Sequence, residues 1–150
     1  MTLTAKLAEE SKFTVADALI VQSPYAEQIV QGLKRWEIRK TNTRKRHRIG
    51  IIKSGSSTVI GEVDVVSSFQ ADRQTLDASI DKHCCSDLQP YLTKNAAGGA
   101  TVAWVWVLAN AREYKSPKPY HRPGGAQCCV KLQSARAANE TTDDAKLIIY

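Results

Sequence analysis

Three strand-like segments follow one another between residues 35 and 69 with no helix between them. In the first, residues 35–41, Trp36 and Ile38 alternate with charged side chains, which is typical of a half-buried strand. Residues 48–54 and 57–69 read as the next two strands, and the connections are short. Parallel neighbours need a crossover of about a dozen residues or more. The segment therefore excludes a doubly wound parallel sheet and predicts sequential antiparallel strands.

The rest of the chain adds a strand or a helix on either side of this group. Residues 17–22 form a short apolar run read as a strand, and residues 23–32 read as a helix. Residues 72–95 read as helical, residues 100–114 as a central strand and residues 126–132 as the last strand. This order predicts an α+β fold, a small mixed or closed sheet with two helices outside it.

The helix at residues 23–32 carries clear boundary signals. Ser23 is a suitable N-cap and Pro24 suits the first helical position. Gly32 is expected to end the helix with a positive φ and to turn the chain into the next strand.

The chain of 150 residues is long enough for one domain with its own core. We expect a polar leader at residues 1–16, a domain at residues 17–133 and a polar tail at residues 134–150. No apolar run approaches the ~20 residues of a membrane span, and the first sixteen residues have no secretory apolar region, so we expect a cytoplasmic protein without membrane contact.

The four cysteines form two adjacent pairs, Cys84–Cys85 and Cys128–Cys129. Adjacent cysteines seldom bridge each other, and the spacing is not that of a zinc site. We interpret them as reduced thiols, with a cross-pair disulfide or a mixed Cys/His site as the alternatives, and we expect no metal or other cofactor.

Positive charge is concentrated in one segment. The net charge is +6, whereas residues 34–53 alone hold nine Lys or Arg against one acid, Glu37. A basic patch on a nearly neutral body favours binding to a polyanion, and the alternative is a solvated loop that binds nothing specific.

Lys34, Glu37 and Arg39 form the strongest candidate site. Glu37 and Arg39 share one strand face, and Lys34 is expected at the mouth of a cleft between helix and strand. A glutamate can accept from an exocyclic amine, while an arginine donates to carbonyls or phosphate. An exposed ion pair is the structural alternative. Tyr25 could stack on a base or pack in the core, and His121 could act as an acid or base.

The segments Ser-Pro-Tyr-Ala (23–26) and Gly32-Leu-Lys-Arg-Trp-Glu-Ile-Arg39 resemble the signature of ASCH domains. The later order, "AWVWVLANAREY" followed by a Pro/Gly loop and a closing strand, is similar to the second half of those domains. The resemblance covers about residues 17–133. It implies a PUA-like β-barrel of about six strands with flanking helices, and proteins that handle RNA.

The resemblance also bears on chemistry. Some small ASCH members deacylate N4-acetylcytidine and another has been described as a ribonuclease. Deacylating members carry a threonine nucleophile three residues after the lysine, and Glu37 occupies that position here, which argues against that reaction.

We therefore expect an RNA- or modified-nucleoside-binding protein with a basic cleft. The enzymatic alternative is a hydrolase, a ribonuclease or N4-acylcytidine amidohydrolase, with Lys34, Glu37 and Tyr25 as the catalytic residues. A third class is an interaction module for an acidic protein, and the oligomeric state stays open. The residues expected to contact nucleic acid are Arg35, Trp36, Arg39, Lys40, Arg44, Lys45, Arg46, Arg48, Lys53 and His121.

Overall fold

A computed structural model describes residues 13–121 and 128–132. In chain order the elements are β1 (Asp17–Val21), α1 (Tyr25–Val30), β2 (Trp36–Arg39), β3 (Arg48–Lys53), β4 (Thr58–Asp72), α2 (Arg73–Asp77), α3 (Ile80–His83), a 3₁₀ turn (Gln89–Tyr91), β5 (Thr93–Lys94), β6 (Thr101–Pro119) and β7 (Cys129–Lys131). Residues 1–12, 122–127 and 133–150 lie outside the described residues, and these include most of the predicted leader (1–16) and all of the predicted tail (134–150).

The strands form one seven-stranded mixed sheet in the order β2-β6-β4-β3-β1-β7, with β5 also paired to β6. β1 runs parallel to β3, with Ala18 opposite Gly50, and the other recorded pairs are antiparallel. The α+β class is confirmed. The expected barrel is not closed, because no ladder within residues 13–121 and 128–132 joins β2 to β1 or β7.

The predicted pairing of consecutive strands is half right. β3 and β4 form the expected antiparallel hairpin, with Arg48 opposite Asp64 and Lys53 opposite Thr58. β2 does not pair with β3 but with β6, where Glu37 lies opposite Trp106. The physical reason is the length of β6, which was predicted over residues 100–114 and extends to Pro119, so that it can hold β4 along one edge and the shorter β2 and β5 along the other.

The single helix predicted over residues 72–95 is wrong. Asp72 does cap α2, because its side chain accepts a hydrogen bond from the Thr75 amide at 2.8 Å. The helical path then breaks, since Cys84 adopts a left-handed conformation with φ of 61° and Pro90 lies within the 3₁₀ turn. A proline cannot continue an α-helix without losing a backbone hydrogen bond.

The helix predicted over residues 23–32 is present but shorter. Pro24 occupies the N-cap position, and the Ser23 hydroxyl donates to the Glu27 carboxylate at 2.6 Å instead of capping the backbone. Gly32 has the predicted positive φ, 82°. α1 lies directly on β4, where a Cβ at Gly61 would lie 2.6 Å from a methyl carbon of Val30.

The main core cluster forms where α1 meets the sheet, and it includes the buried residues Leu19, Ile29, Ile49, Val63 and Trp106. In the described part of the chain, no helix has the length and apolar character needed to cross a membrane.

Candidate functional site

Two parts of the sheet that share no ladder come together at one place, which we call the seam. It has β2, one end of the strand order, on one side, and β1 with the start of β7, the other end, on the opposite side. A side chain, Arg39 of β2, bridges it. Its Nη2 donates to the carbonyl oxygen of Ile20 in β1 at 2.9 Å, and its Nη1 lies 3.8 Å from the Cys128 sulfur. Arg39 therefore ties together strands that share no backbone ladder among the described residues.

A cavity of about 510 Å³ opens at this seam. Its size is within the range of small-molecule sites, roughly 300–1,000 Å³. Carboxylate, guanidinium, amide, hydroxyl and phenol groups share its wall with aliphatic carbon, so it suits a ligand that is partly polar and partly flat. The lining residues are Ile20, Val21, Gln22, Tyr25, Glu37, Ile38, Arg39, Ser54, Pro90 and Tyr91.

Glu37 is the electrostatic centre of the cavity wall. It is 5% exposed, and its Oε2 accepts from Arg39 Nε at 3.3 Å and Nη2 at 3.0 Å. Its Oε1 accepts from the Ile38 amide at 3.2 Å and lies 3.7 Å from Lys34 Nζ. Burial acts to lower the pKa of Arg39. The attraction and hydrogen bond of Glu37, together with the attraction of the Cys128 and Cys129 sulfurs, outweigh it and raise the pKa above its ordinary value. The Glu37 carboxylate thus lies between two cationic side chains.

Lys34 lies behind the cavity wall and not at its mouth, where the sequence placed it. It is 1% exposed, because the chain after α3 covers it. Its Nζ donates to the His83 carbonyl oxygen, lies 3.6 Å from the Cys85 sulfur and 5.0 Å from the centre of the Tyr25 ring. Lys34 thus supports Glu37 and Tyr25 from the rear.

Two tyrosines, Tyr25 and Tyr91, stand on the cavity wall. Burial, followed by the proximity of Cys85, raises the pKa of both phenols above the ordinary value, so they remain protonated and can donate hydrogen bonds. Tyr91 was missed from the sequence. Pro90, inside the segment read as a helix, was the available signal that a 3₁₀ turn could carry it to the site.

His83 is a structural residue. It is 1% exposed, with Nε2 2.6 Å from the Leu76 carbonyl oxygen and Nδ1 accepting from the Cys85 amide at 3.0 Å. Across residues 13–121 and 128–132, no three His, Cys, Asp or Glu side chains are grouped so that they could hold a metal ion.

Much of the basic segment is tied into the fold. Lys45 is buried against Asp17, whose other carboxylate oxygen lies 3.0 Å from His47 Nε2. Arg48 donates to Glu62 at 2.8 Å and to Asp64 at 3.0 Å. Lys45 and Arg48 therefore form ion pairs inside the domain, and neither residue lines the cavity.

The outward part of the basic segment is smaller. Lys40 and Arg44 are exposed. Arg46 is exposed too, and its guanidinium donates to the carbonyl oxygen of Thr43 at 3.1 Å and to the Ser68 hydroxyl at 2.9 Å.

Four further candidates do not line the cavity. Arg35 is exposed, 3.9 Å from Asp81, and His121 is exposed after β6. Trp36 stacks edge-to-face on Phe69, with the ring centres 5.1 Å apart, in a packing role. The last of the four, Lys53, is half-exposed and lies 3.7 Å from Glu27.

A mixed sheet with short helices, and with a cavity beside a Lys–Glu–Arg cluster at an open seam, places the chain among small α+β domains. The family model described as "ASCH domain" matches residues 19–118, two thirds of the chain. The chain belongs to the ASCH domain family.

Solved structures agree on the fold. The chain is similar to the crystal structure of the ASCH protein of Zymomonas mobilis, with a TM-score of 0.59 and 19% identity over 84% of this chain and 93% of that chain. Two single-substitution variants of that protein match at the same TM-score and identity, covering 94% and 96% of their chains. No curated protein matches the chain.

Proposed function

We propose that this protein binds RNA or a modified nucleoside in the seam cavity. The observation that carries the proposal is the joint placement of an ionised Glu37–Arg39 pair and two tyrosines, Tyr25 and Tyr91, on one cavity wall. Glu37 can accept from an exocyclic amine, Arg39 can donate to a carbonyl or phosphate, and a phenol ring can stack on a base.

Exposed cations beside the cavity would hold the phosphates. Lys40 follows Arg39 directly in sequence, and Arg44 lies farther along the same connection. This revises the expected contact surface, because Lys45 and Arg48 are committed to Asp17, Glu62 and Asp64. The free cysteines are typical of a reducing compartment and support a cytoplasmic location.

The test is a titration of the protein with a single-stranded RNA and with cytidine and N4-acetylcytidine. Glu37→Gln keeps the shape of the side chain and removes its charge, and should weaken binding about 10- to 150-fold, the value of one hydrogen bond to a charged group. Tyr91→Ala should cost about 1–3 kcal/mol if its ring stacks on a base. Arg73→Gln, at an exposed pair that does not line the cavity, is the matched control. Unchanged affinity in both cavity variants, with melting curves that show folded protein, would refute the site.

Hydrolysis is the second candidate, favoured by the buried Lys34 amine 3.7 Å from the Glu37 carboxylate at the edge of the cavity. In this reading Glu37 acts as the general acid or base and Lys34 holds its charge in place. Glu37→Gln should then lower turnover about 10²- to 10⁴-fold while leaving a measurable share of substrate binding. Wild-type protein that yields no product above a protein-free control, on either RNA or acylated cytidine, would end this candidate for those reactions.

A further inference from the structure

Cys128 and Cys129 lie at the seam and outside the set of cavity-lining residues. Both are partly exposed free thiols, and the two sulfurs are 3.5 Å apart, with the Cys129 thiol donating to the Cys128 sulfur. On its other side, the Cys128 sulfur lies 3.8 Å from Arg39 Nη1. The Cys128 sulfur therefore lies between two hydrogen-bond donors, the Cys129 thiol and the Arg39 guanidinium. Both contacts stabilise the Cys128 thiolate relative to the thiol.

The charges around this sulfur come from several elements. The groups that face the two sulfurs are Arg39 and Glu37 from β2, Lys45 from the connection after β2, Asp17 from β1 and Cys129 from β7 itself. The hydrogen bond from Cys129 lowers the pKa of Cys128 most, and Arg39 and Lys45 add to it against burial and Glu37, which brings the pKa to about 6. The same hydrogen bond, together with burial, raises the pKa of Cys129, so Cys129 stays protonated.

We propose that Cys128 is a modification site, a partly exposed thiolate that undergoes thiol–disulfide exchange with small-molecule disulfides. The Cys128 sulfur attacks one sulfur of the disulfide, so that a Cys128–sulfur bond forms and the sulfur–sulfur bond of the reagent breaks. The departing thiolate keeps the electron pair and takes a proton from water. The product is a mixed disulfide on Cys128.

The adduct changes the seam because a disulfide sulfur carries no charge. Arg39 then loses an anionic neighbour while it keeps its bonds to Glu37 and to the Ile20 carbonyl oxygen. This inference goes beyond ligand binding in the cavity and does not depend on it, since it concerns only the reactivity of one thiol.

The expected rates follow from the fraction of thiolate and its nucleophilicity. Relative to a cysteine peptide with a pKa near 8.5, a thiol of pKa about 6 is ionised about 160 times more at pH 6 and about 30 times more at pH 7. A Brønsted slope of about 0.45 makes each thiolate about 13 times less nucleophilic. The net advantage is about tenfold at pH 6 and about twofold at pH 7.

The experiment uses the whole chain and oxidised glutathione, with adducts located by peptide mapping and rates measured from pH 5 to pH 9. At pH 6 we expect the first adduct on Cys128, and across the pH range we expect a Cys128 rate that levels off above about pH 7. Cys128→Ser should remove that adduct. Arg39→Gln should move the midpoint of the rate profile upward, whereas Arg39→Lys, which keeps the charge, should move it less. Cys84, a partly exposed thiol directed to the Leu33 carbonyl oxygen, is the internal control.

At pH 6, a first adduct on Cys84 or Cys85 would overturn the proposal. A Cys128 rate that keeps rising through pH 8, as it does for the cysteine peptide, would overturn it as well. Both readings come from the wild-type protein, so they stand even if a variant at Arg39 does not fold. Loss of RNA or nucleoside binding has no bearing on either reading, which separates this test from that of the proposed function.

Discussion

Replacing Asp17 by Asn should destabilise the domain strongly. Asp17 in β1 and Lys45 in the connection after β2 form an ion pair in which both side chains are fully buried. The substitution keeps the size of the side chain and removes its charge, so a buried ammonium is left without its carboxylate.

The magnitude follows from the asymmetry of buried pairs. Removing one partner of such a pair costs about 3–5 kcal/mol, because the remaining charge has lost the interaction that offset its desolvation. Folded domains have only about 5–15 kcal/mol of stability in total. Lys45→Met should cost less than Asp17→Asn, since Asp17 keeps His47 as a partner and that histidine is 39% exposed.

The assay is urea unfolding followed by tryptophan fluorescence, with Trp106, 3% exposed, as the buried reporter. Asp77→Asn is the matched control, because it removes the carboxylate of an exposed pair with Arg73 at 3.4 Å. Such a helical pair contributes only about 0.2–0.5 kcal/mol. The reasoning fails if Asp17→Asn and Asp77→Asn lower the free energy of unfolding by similar amounts.

Three further predictions concern other parts of the domain. Gly61→Ala should lower the free energy of unfolding by about 1–3 kcal/mol or more, and with it the melting temperature, because the new Cβ would lie 2.6 Å from Val30. An unchanged melting curve would contradict the close approach of helix and strand. Burial acts to raise the pKa of Glu62, but the hydrogen bonds from Arg48 and Tyr114, with the attraction of Arg48 and Arg112, together outweigh it and hold the pKa below its ordinary value near 4.5. The resulting stabilisation is present above that pH and is lost as the pH falls through the lower folded value. In Arg48→Gln, the free energy of unfolding should therefore fall less steeply than in the wild type as the pH is lowered from about 5. The same dependence on pH in both proteins would contradict this prediction. Arg44→Ala should lower the slope of log affinity against log salt by about 0.7 if the residue contacts a phosphate of single-stranded RNA, and an unchanged slope would remove it from the contact surface.

Local sequence patterns predicted where the strands and helices lie better than they predicted which strands pair with each other. The alternation around Trp36 located β2, and Gly32 marked the end of α1. The pairing of β2 with β6 depends on residues about 70 positions apart and on the length of β6, neither of which leaves a periodic signal near residue 36.

In the candidate site, too, the features set by local sequence were predicted and those set by distant contacts were not. Glu37 and Arg39 were placed on one face by strand alternation, and they do lie on one cavity wall. The burial of Lys34 could not be predicted, because it depends on how α3 and Cys85 fold over it. The charge count was informative about the basic segment as a whole but could not separate exposed Arg44 from buried Lys45, since the acid that pairs with Lys45 is 28 residues away.

The seam has a mechanical consequence. A backbone ladder fixes the spacing of two strands, whereas a guanidinium on a flexible side chain can follow them as they part or approach. Widening the gap between β2 and β1 beyond the reach of that side chain would break the bond from Arg39 to the Ile20 carbonyl oxygen and leave the β2–β6 and β1–β3 ladders intact. The width of the cavity on this side therefore depends on contacts of the Arg39 side chain and not on a backbone ladder.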